Sequence, residues 1–335
     1  MKRLFPIFLF ITALLSPCCA QTVPSEALQQ AMQRDETAFL QSMSPTLQHM
    51  QALAVRMAIQ GDARALQQIR ERRNVAPTLP EGVKAVTLTP TMTLFRSTQP
   101  TSKPRPVLLY LHGGGWCFGS INSCMRFCAA VAKRANICVV ALNYRLAPEH
   151  AYPAPLDDCC MAFNYLKGHA AEFGGDTTRV SIGGDSAGGN LAIATAMTVG
   201  GKSSVYSLIP IYPVTELFTR STPSWRTYAQ GYGDDAELLE AFNEAYAVGQ
   251  QQSPLVSVGL ATDDTLQQLP PVLLISAGHD ILFDQTAAWA KRLQSLDHPL
   301  SYHVFPTATH LFITVPGQPT AFNESVRIVS EFLKE

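Results

Sequence analysis

The sequence has few charged residues, and what it lacks excludes several classes of protein. Charged side chains make up 15% of the 335 residues, the formal net charge is −1, and the basic residues form no block. Binding to nucleic acid or to an anionic membrane surface calls for such a block, so no nucleic-acid partner is expected. Internal repeats and low-complexity tracts are also missing, which excludes a repeat architecture.

Paired cysteine motifs are missing as well. Six cysteines follow residue 20, all of them between 117 and 160, and none forms a CxxC pair. This is not the spacing of a zinc site, so no metal is expected. We expect most of these cysteines to pack as small apolar side chains, which leaves room for one disulfide bridge whose partners the spacing does not identify.

Beyond the N-terminus, no hydrophobic run is long enough to span a bilayer. Residues 1–20 carry two basic residues, the apolar run Leu4–Leu15 and small residues before Gln21. This order is typical of a secretory signal peptide, and the run is short for a spanning helix. A retained anchor or buried helix is the alternative, and lipidation at Cys18 or Cys19 is a further one, although a neighbouring proline fits it badly. We expect an exported protein, periplasmic or extracellular, with no stable membrane insertion after cleavage.

Two textures divide the rest of the chain. Residues 21–80 are rich in Gln and Ala, which predicts helices over Ser25–Asn74 and an N-terminal helical cap. Residues 81–335 alternate short apolar runs with helical patterns. This alternation predicts an α/β catalytic domain with a mostly parallel central sheet and helices on both faces. An insertion at 214–262 is expected to contribute to the cap, because insertions in such sheets gather where ligands bind.

Eight apolar runs are predicted strands: Val83–Leu88, Thr91–Ser97, Val107–Leu111, Ile137–Asn143, Val180–Gly183, Tyr206–Ile211, Val272–Ser276 and Ser301–Phe305. The first two have no helix between them, which favours an antiparallel edge. The predicted helices of this part are Cys124–Ala135, Leu156–His169, Gly188–Val199, Glu237–Ala247, Gln285–Ser295 and Ala321–Lys334.

A serine between small residues follows the fifth predicted strand. The stretch Gly184–Gly188 reads GDSAG and stands before a helical pattern. A G-x-S-x-G sequence in this setting is typical of a nucleophile elbow, a turn so tight that only small residues fit beside the serine. An ordinary glycine-rich turn is the alternative, and the strand–turn–helix context argues against it. We therefore predict Ser186 as a nucleophile.

A nucleophilic serine needs a histidine base and an acid that orients it, in the chain order serine, acid, histidine. Of the four histidines after Ser186, only His310 is expected on a loop between the last strand and the last helix. Asp280 and Asp284 are the candidate acids. Asp280 is favoured because it stands at the end of the Val272–Ser276 strand, whereas Asp284 is about a turn further, at the start of a helix.

Three consecutive glycines, Gly113, Gly114 and Gly115, follow the third predicted strand. Attack on an ester carbonyl builds an oxyanion, which needs preorganised donors about 3 Å away. Glycines carry no side chain to block this approach, so their N–H groups can point at the oxygen. Ala187, directly after the nucleophile, supplies a further N–H.

These motifs together resemble the hormone-sensitive-lipase-like branch of the α/β-hydrolases, the bacterial esterase and acetylesterase group. The resemblance covers residues 106–312 and rests on His112–Trp116 (HGGGW), Asn143–Glu149 (NYRLAPE), Tyr152-Pro153, Gly184–Gly189 (GDSAGG), Tyr212-Pro213, Asp280–Asp284 (DILFD) and His310–Phe312 (HLF). It departs from the usual pattern at Ile281 and at Leu311, where the family has proline and glycine, and Leu311 is expected to narrow the acyl pocket.

The resemblance implies the α/β-hydrolase fold and a triad of Ser186, Asp280 and His310. It assigns the oxyanion donors to Gly114 and Gly115 with Ala187, and Gly113 is a further candidate. It also implies a serine carboxylesterase that hydrolyses short-chain acyl esters through an acyl-enzyme. The implied substrates are small molecules, and the reaction would need no cofactor.

Three alternatives and expectations accompany this interpretation. An amidase or peptidase uses the same triad. A non-catalytic receptor on this fold loses the triad histidine, and His310 is present. We expect Tyr144, Arg145 and Glu149 to form a buried polar network that braces the glycine loop, with Asp158 as a further candidate member.

Overall fold

The computed structural model describes residues 21–44 and 46–334. The predicted signal peptide, residues 1–20, lies outside the described residues. Among those described, none of the helices combines the length and the apolar character that crossing a membrane requires.

Among the described residues, eight strands form one sheet. They are β1 (Val83–Thr89), β2 (Met92–Ser97), β3 (Arg105–Leu111), β4 (Cys138–Leu142), β5 (Gly175–Asp185), β6 (Leu208–Ile211), β7 (Val272–His279) and β8 (Leu300–Thr309). Their order is β1-β2-β4-β3-β5-β6-β7-β8. β2 runs antiparallel to both β1 and β4, and all other neighbours are parallel. The predicted mostly parallel sheet with an antiparallel edge is confirmed.

Eleven α-helices occur in the described part of the chain. They are α1 (Glu26–Ser42), α2 (Leu47–Ile59), α3 (Arg64–Arg73), α4 (Ile121–Ala135), α5 (Ala154–His169), α6 (Ala187–Thr198), α7 (Pro223–Thr227), α8 (Ala236–Tyr246), α9 (Asp263–Gln267), α10 (Phe283–Ser295) and α11 (Pro319–Phe332).

The central strand β3 shows why its sequence is continuously apolar. Val107 and Leu109 face a core that includes residues of α5, α6 and α10. Leu108 and Tyr110, which alternate with them, face a second core shared with α4 and α11. Because successive side chains of a strand point to opposite faces, a strand covered on both sides is apolar at every position.

The three helices before β1 lie in two places. α1 packs against β8 and α11, on the body of the sheet, whereas α2 packs against α8, which comes from the insertion at 214–262. Arg56 of α2 lies 3.1 Å from Glu237 and 3.5 Å from Glu244 of α8. These pairs are partly exposed and contribute little, so burial of apolar residues such as Val55 and Leu239 holds the two helices together.

All six described cysteines are free, five of them buried and Cys160 partly exposed. Burial raises the pKa of Cys138 and of Cys160 to about 11, well above that of an ordinary thiol. The five buried cysteines pack as small apolar side chains, as was expected for most of the six.

Candidate functional site

Ser186 stands between the end of β5 and the start of α6, at φ 55° and ψ −121°. This backbone conformation is rare for a residue with a side chain, and it is maintained by close packing of the turn. A Cβ at Gly184 would overlap Gly188, and a Cβ at Gly188 would overlap the carbonyl of Leu111. The glycines that flank the serine are therefore required by space, and the turn directs the Ser186 hydroxyl into a cleft.

The structure brings the three predicted triad residues together. His310 Nε2 lies 2.9 Å from Ser186 Oγ, and His310 Nδ1 lies 2.7 Å from Asp280 Oδ2. The other oxygen of Asp280 accepts a hydrogen bond from the backbone N–H of Leu282 at 2.9 Å. Asp280 directly follows β7 and His310 directly follows β8, so the two parallel strands deliver acid and base to the same edge of the sheet.

The charge of His310 is governed by its neighbours. Burial alone would lower its pKa, but the carboxylates of Asp280 and Asp234, with a smaller effect from Asp185, raise that pKa to about 9. The same arrangement therefore favours the positively charged form of the imidazole.

Asp284, the alternative acid, does not reach the histidine ring. Its carboxylate accepts a hydrogen bond from the backbone N–H of Ser224 at 2.7 Å, and its own N–H bonds the Ser224 hydroxyl at 3.1 Å. Asp284 therefore ties α10 to α7, a structural role.

The glycine loop is shaped by what surrounds it. Gly114 and Gly115 have φ of 115° and 58°, and a Cβ at Gly115 would overlap the ring of Phe242 on α8. Gly113 differs from them, because its N–H faces the carboxylate of Asp185. Among the described residues, no backbone carbonyl accepts from the N–H of Gly114 or Gly115. These two groups are thus free to bind an oxygen, beside the N–H of Ala187 at the start of α6.

Asp185 supports the loop from below. Its carboxylate is buried and accepts a hydrogen bond from Tyr110 at 3.0 Å. Burial raises the pKa of Asp185 to about 6, and the hydrogen bonds from Tyr110 and Gly113 oppose that rise. Asp185 also lines the cleft, but its hydrogen bonds go to Tyr110 and to the glycine loop, which agrees with a structural role.

The expected network around the loop is buried at Tyr144 but not at Arg145. Tyr144 does brace the loop, since its hydroxyl donates to the His112 carbonyl at 2.7 Å and its ring stacks on His112. Arg145, however, pairs with Asp158 at 2.8 Å and is 44% exposed. Glu149 pairs with Arg70 of α3, also at 2.8 Å.

Arg70 is a bracing residue that the sequence did not reveal. Besides Glu149, it donates to the carbonyl oxygens of Cys117 at 2.8 Å and of Ala147 at 2.7 Å. It therefore fastens the N-terminal helices to the segment that follows the glycine loop. Nothing in its local sequence marks it, because all three partners come from distant parts of the chain.

The site opens into a cleft of about 810 Å³. Most of its lining is apolar and comes from α2, α3, α8 and the segment after His310; it includes Leu47, Leu53, Ile69, Phe118, Leu238, Phe242, Leu311 and Val315. Among the described residues, no group of three or more His, Cys, Asp or Glu side chains is placed to hold a metal ion. The cleft has the size and character of a small-molecule site.

Asp234 is a second residue that sequence reasoning missed. It lines the cleft, and its Oδ2 lies 3.4 Å from His310 Nε2. The only local signal is an acidic pair after a glycine, which is common in loops.

Comparison with known proteins gives consistent results. The family model of the alpha/beta hydrolase fold matches residues 108–314. A carboxylesterase of Mycobacterium tuberculosis is 36% identical over 214 residues, 62% of this chain and 66% of that protein. An ethyl acetate hydrolase of Pseudomonas putida is 33% identical over 233 residues, 68% of this chain and 72% of that protein. The matches therefore span about two thirds of the length of these curated relatives.

A solved structure extends the comparison to the fold. A thermostable esterase of Pseudomonas putida superposes with a TM-score of 0.73 over 88% of this chain and 98% of that chain. Its sequence identity is 21%, so this likeness concerns the fold alone.

Proposed function

Because the chain belongs to the α/β-hydrolase family, in its hormone-sensitive-lipase-like branch, we propose that it hydrolyses carboxylic esters through an acyl-enzyme on Ser186. The observation that carries the proposal is the pair of hydrogen bonds at His310, 2.9 Å to the serine and 2.7 Å to Asp280. It is supported by the carboxylesterase and ethyl acetate hydrolase that the chain resembles.

In the first half of the proposed reaction, Ser186 Oγ attacks the ester carbonyl while His310 Nε2 takes the hydroxyl proton. When the imidazole is neutral, Asp280 accepts from Nδ1–H, and Nε2 is then unprotonated and faces the serine. The oxyanion that forms is bound by the N–H groups of Gly114, Gly115 and Ala187. Collapse of the tetrahedral intermediate breaks the bond to the alcohol oxygen, and that oxygen takes the proton from Nε2.

The second half repeats these steps with water. Water occupies the position of the departed alcohol and gives a proton to His310 Nε2 as it attacks the acyl carbonyl. The proton then returns to Ser186 Oγ, and the carboxylic acid leaves. The same histidine and the same N–H donors serve both halves of the proposed reaction.

The proposed substrates are esters with a short acyl chain. Leu311, which directly follows His310 and lines the cleft, supports this proposal. Leu311 has φ of 72°, a conformation favoured by glycine, so the side chain is held beside His310 at some cost in backbone strain. A branched side chain here limits the space at the reacting carbon.

The test uses a serine reagent and a variant. A fluorophosphonate should label Ser186 only, identified by peptide mass, and Ser186→Ala should lose labelling and nearly all hydrolysis of propyl butyrate. The variant is expected to fold, because alanine is smaller than serine; a thermal unfolding curve checks this. Residual activity within about tenfold of the parent protein would contradict the nucleophile assignment, since loss of a triad member costs orders of magnitude.

A matched ester and amide separate the proposed esterase from an amidase. The protein should hydrolyse nitrophenyl butyrate far faster than butyryl nitroanilide. Comparable rates on the two would show that the same triad serves an amidase.

We also propose that the protein is exported. The support is the order of basic, apolar and small residues in 1–20. Mass spectrometry of active protein isolated from the producing cells should find a chain that begins near Gln21, outside the cytoplasm. An intact N-terminus on active cytoplasmic protein would overturn the proposal.

A further inference from the structure

Asp234 is a buried carboxylate that the reaction described above does not use. Its side chain is only 9% exposed, it lines the cleft, and its Oδ2 lies 3.4 Å from His310 Nε2. Within residues 21–44 and 46–334, the carboxylate accepts no hydrogen bond from a backbone N–H or from another side chain. Its charged neighbours are His310, with which it forms an ion pair, and Arg73, which lines the same cleft. Because neither donates a hydrogen bond to it, a ligand that does so would gain free energy.

The position of Asp234 is built by the surrounding structure rather than left to a loose loop. Gln48 of α2 donates its amide N–H to the carbonyl of Gly233 and accepts from the backbone N–H of Asp235. One buried side chain thus fixes the backbone on both sides of Asp234. Asp235, by contrast, is turned back to the loop, where it accepts from the N–H of Gly231 at 2.7 Å.

The location of Asp234 defines which part of a substrate it meets. When the acyl-enzyme forms, Nε2 gives its proton to the leaving alcohol oxygen, which must lie about 2.6–3.2 Å away. A carboxylate oxygen 3.4 Å from the same nitrogen therefore faces the alcohol side of the ester. The part of the alcohol that comes within hydrogen-bond reach of Asp234 is a substituent on its second carbon, the one next to the carbon that bears the ester oxygen.

We propose that Asp234 binds a hydroxyl group at that carbon, so that the enzyme prefers monoesters of vicinal diols and polyols over esters of simple alcohols. The inference rests on the proposed ester hydrolysis and specifies its alcohol side. The hydroxyl donates a hydrogen bond to Asp234, and the ester oxygen on the adjacent carbon accepts one from His310. The two bonds hold the leaving alcohol in line with His310, its proton donor. An ester of a simple alcohol offers Asp234 no hydrogen-bond donor, so its only donor is then the imidazolium of His310.

Three butyrate esters test the proposal on the full enzyme. 2-Hydroxyethyl butyrate carries the hydroxyl, n-propyl butyrate replaces it with a methyl group, and 2-methoxyethyl butyrate keeps the electron-withdrawing oxygen without a donor. The enzyme should hydrolyse the hydroxyethyl ester with kcat/KM about 10-fold above that of the other two, the gain expected for a hydrogen bond to a charged acceptor. Asp234→Ala should reduce this preference to within about 2-fold.

Two further variants make the result specific. Asp235→Asn changes the neighbouring carboxylate, which faces away from the histidine, and should keep the preference. Gln48→Ala leaves the carboxylate but removes its clamp, and should weaken the preference; it also serves if Asp234→Ala does not fold. The inference is overturned if the enzyme shows no preference, or if Asp234→Ala keeps it. Absence of hydrolysis for all three esters, with Ser186 unreactive to the fluorophosphonate, would instead refute the proposed function itself.

Discussion

His310 shares its surroundings with three carboxylates, and their balance sets the pH at which the site can work. Asp280 bonds Nδ1, Asp234 approaches Nε2, and Asp185 acts from below the loop. Because these charges favour the protonated imidazole, they raise the pKa of His310 to about 9 against the opposing effect of burial. A protonated imidazole cannot take the serine proton, so the enzyme gains activity as pH rises through this pKa.

We therefore expect kcat/KM for propyl butyrate, followed in a pH-stat, to rise with pH into the alkaline range. Asp234→Asn removes one of the charges that raise the pKa of His310, so the acid limb of the profile should move to lower pH. Asp235→Asn is the matched control and should leave the limb in place, because its side chain bonds Gly231 instead. An acid limb near the ordinary histidine pKa in the parent protein would contradict this account.

A second prediction at this scale separates the two candidate acids. Asp280→Asn should lower kcat by up to about 10⁴, because an amide at this position favours the wrong tautomer of His310. Asp284→Asn should stay within about tenfold of the parent protein, since its contact is with the backbone of Ser224 and an amide oxygen can still accept. Steady-state kinetics on both variants decide the matter, and the reverse order would mean that the acid is misassigned.

At the scale of elements, helix α8 packs against the outer side of the glycine loop. The ring of Trp116, just after the glycines, stacks on Tyr246 with centroids 4.3 Å apart, and Phe242 fills the space above Gly115. The loop therefore keeps its shape only while α8 stays in contact with it. Since α8 in turn packs on α2, this N-terminal helix stabilises the loop indirectly, through α8.

This packing predicts the effect of one methyl group. Gly115→Ala would overlap the Phe242 ring, so the loop must shift and kcat should fall by about 10²–10³, the cost of losing one oxyanion donor. Adding Phe242→Ala removes the overlap and should restore part of the loss. Gly168→Ala, where a Cβ meets nothing within 4 Å, is the control. Equal kcat for the single and double variants would show that Phe242 is not the obstacle.

The elements themselves were largely predictable from the sequence, since crossover units alternate runs of different periodicity. Every predicted strand is present, although β5 begins at Gly175, five residues before its apolar run. Those first residues are polar because they lie at the entry to the sheet, where only part of the strand is covered. The hydrogen-bonded set of Ser186, Asp280 and His310 could be predicted because each follows a strand end.

The contacts that brace the site could not be predicted in the same way. Arg70 and Glu149 are 79 positions apart, and Gln48 is 187 positions from Asp235. Such pairs follow from how α2 and α3 settle on the insertion, which local patterns do not encode. The same is true of Asp234, whose importance lies only in its distance from His310.

At the scale of the whole molecule, the cleft is formed jointly by the N-terminal helices, the insertion and the sheet edge. Its volume of about 810 Å³ exceeds what a short ester fills. We therefore propose that the wall beside Leu311 limits the length of the acyl chain, and that the alcohol part of the ester occupies the remaining volume of the cleft. Each methylene that fits gains about 0.8 kcal/mol, whereas forcing one against the wall costs about 1–3 kcal/mol.

Catalytic efficiency on nitrophenyl esters should accordingly peak between acetate and hexanoate and fall steeply by decanoate. Leu311→Gly widens the cleft beside His310 and also relieves the strain of a positive φ. The acyl chain length that this variant hydrolyses most efficiently should therefore increase. A parent protein that prefers palmitate, or that hydrolyses emulsified triglyceride better than soluble esters, would contradict the confined acyl site.

The six free cysteines have a consequence for how the molecule must be made. In the folded protein burial protects five of the six described cysteines, since a thiol without access to solvent does not exchange, and only Cys160 is partly exposed. An unfolded chain in an oxidising compartment has no such protection, and its thiols can be trapped in bridges that the native packing does not contain. If the protein is exported, the thiols of β4, α4 and α5 must become buried faster than they are oxidised. Laboratory refolding should therefore succeed in the presence of a reductant and fail with oxidised glutathione.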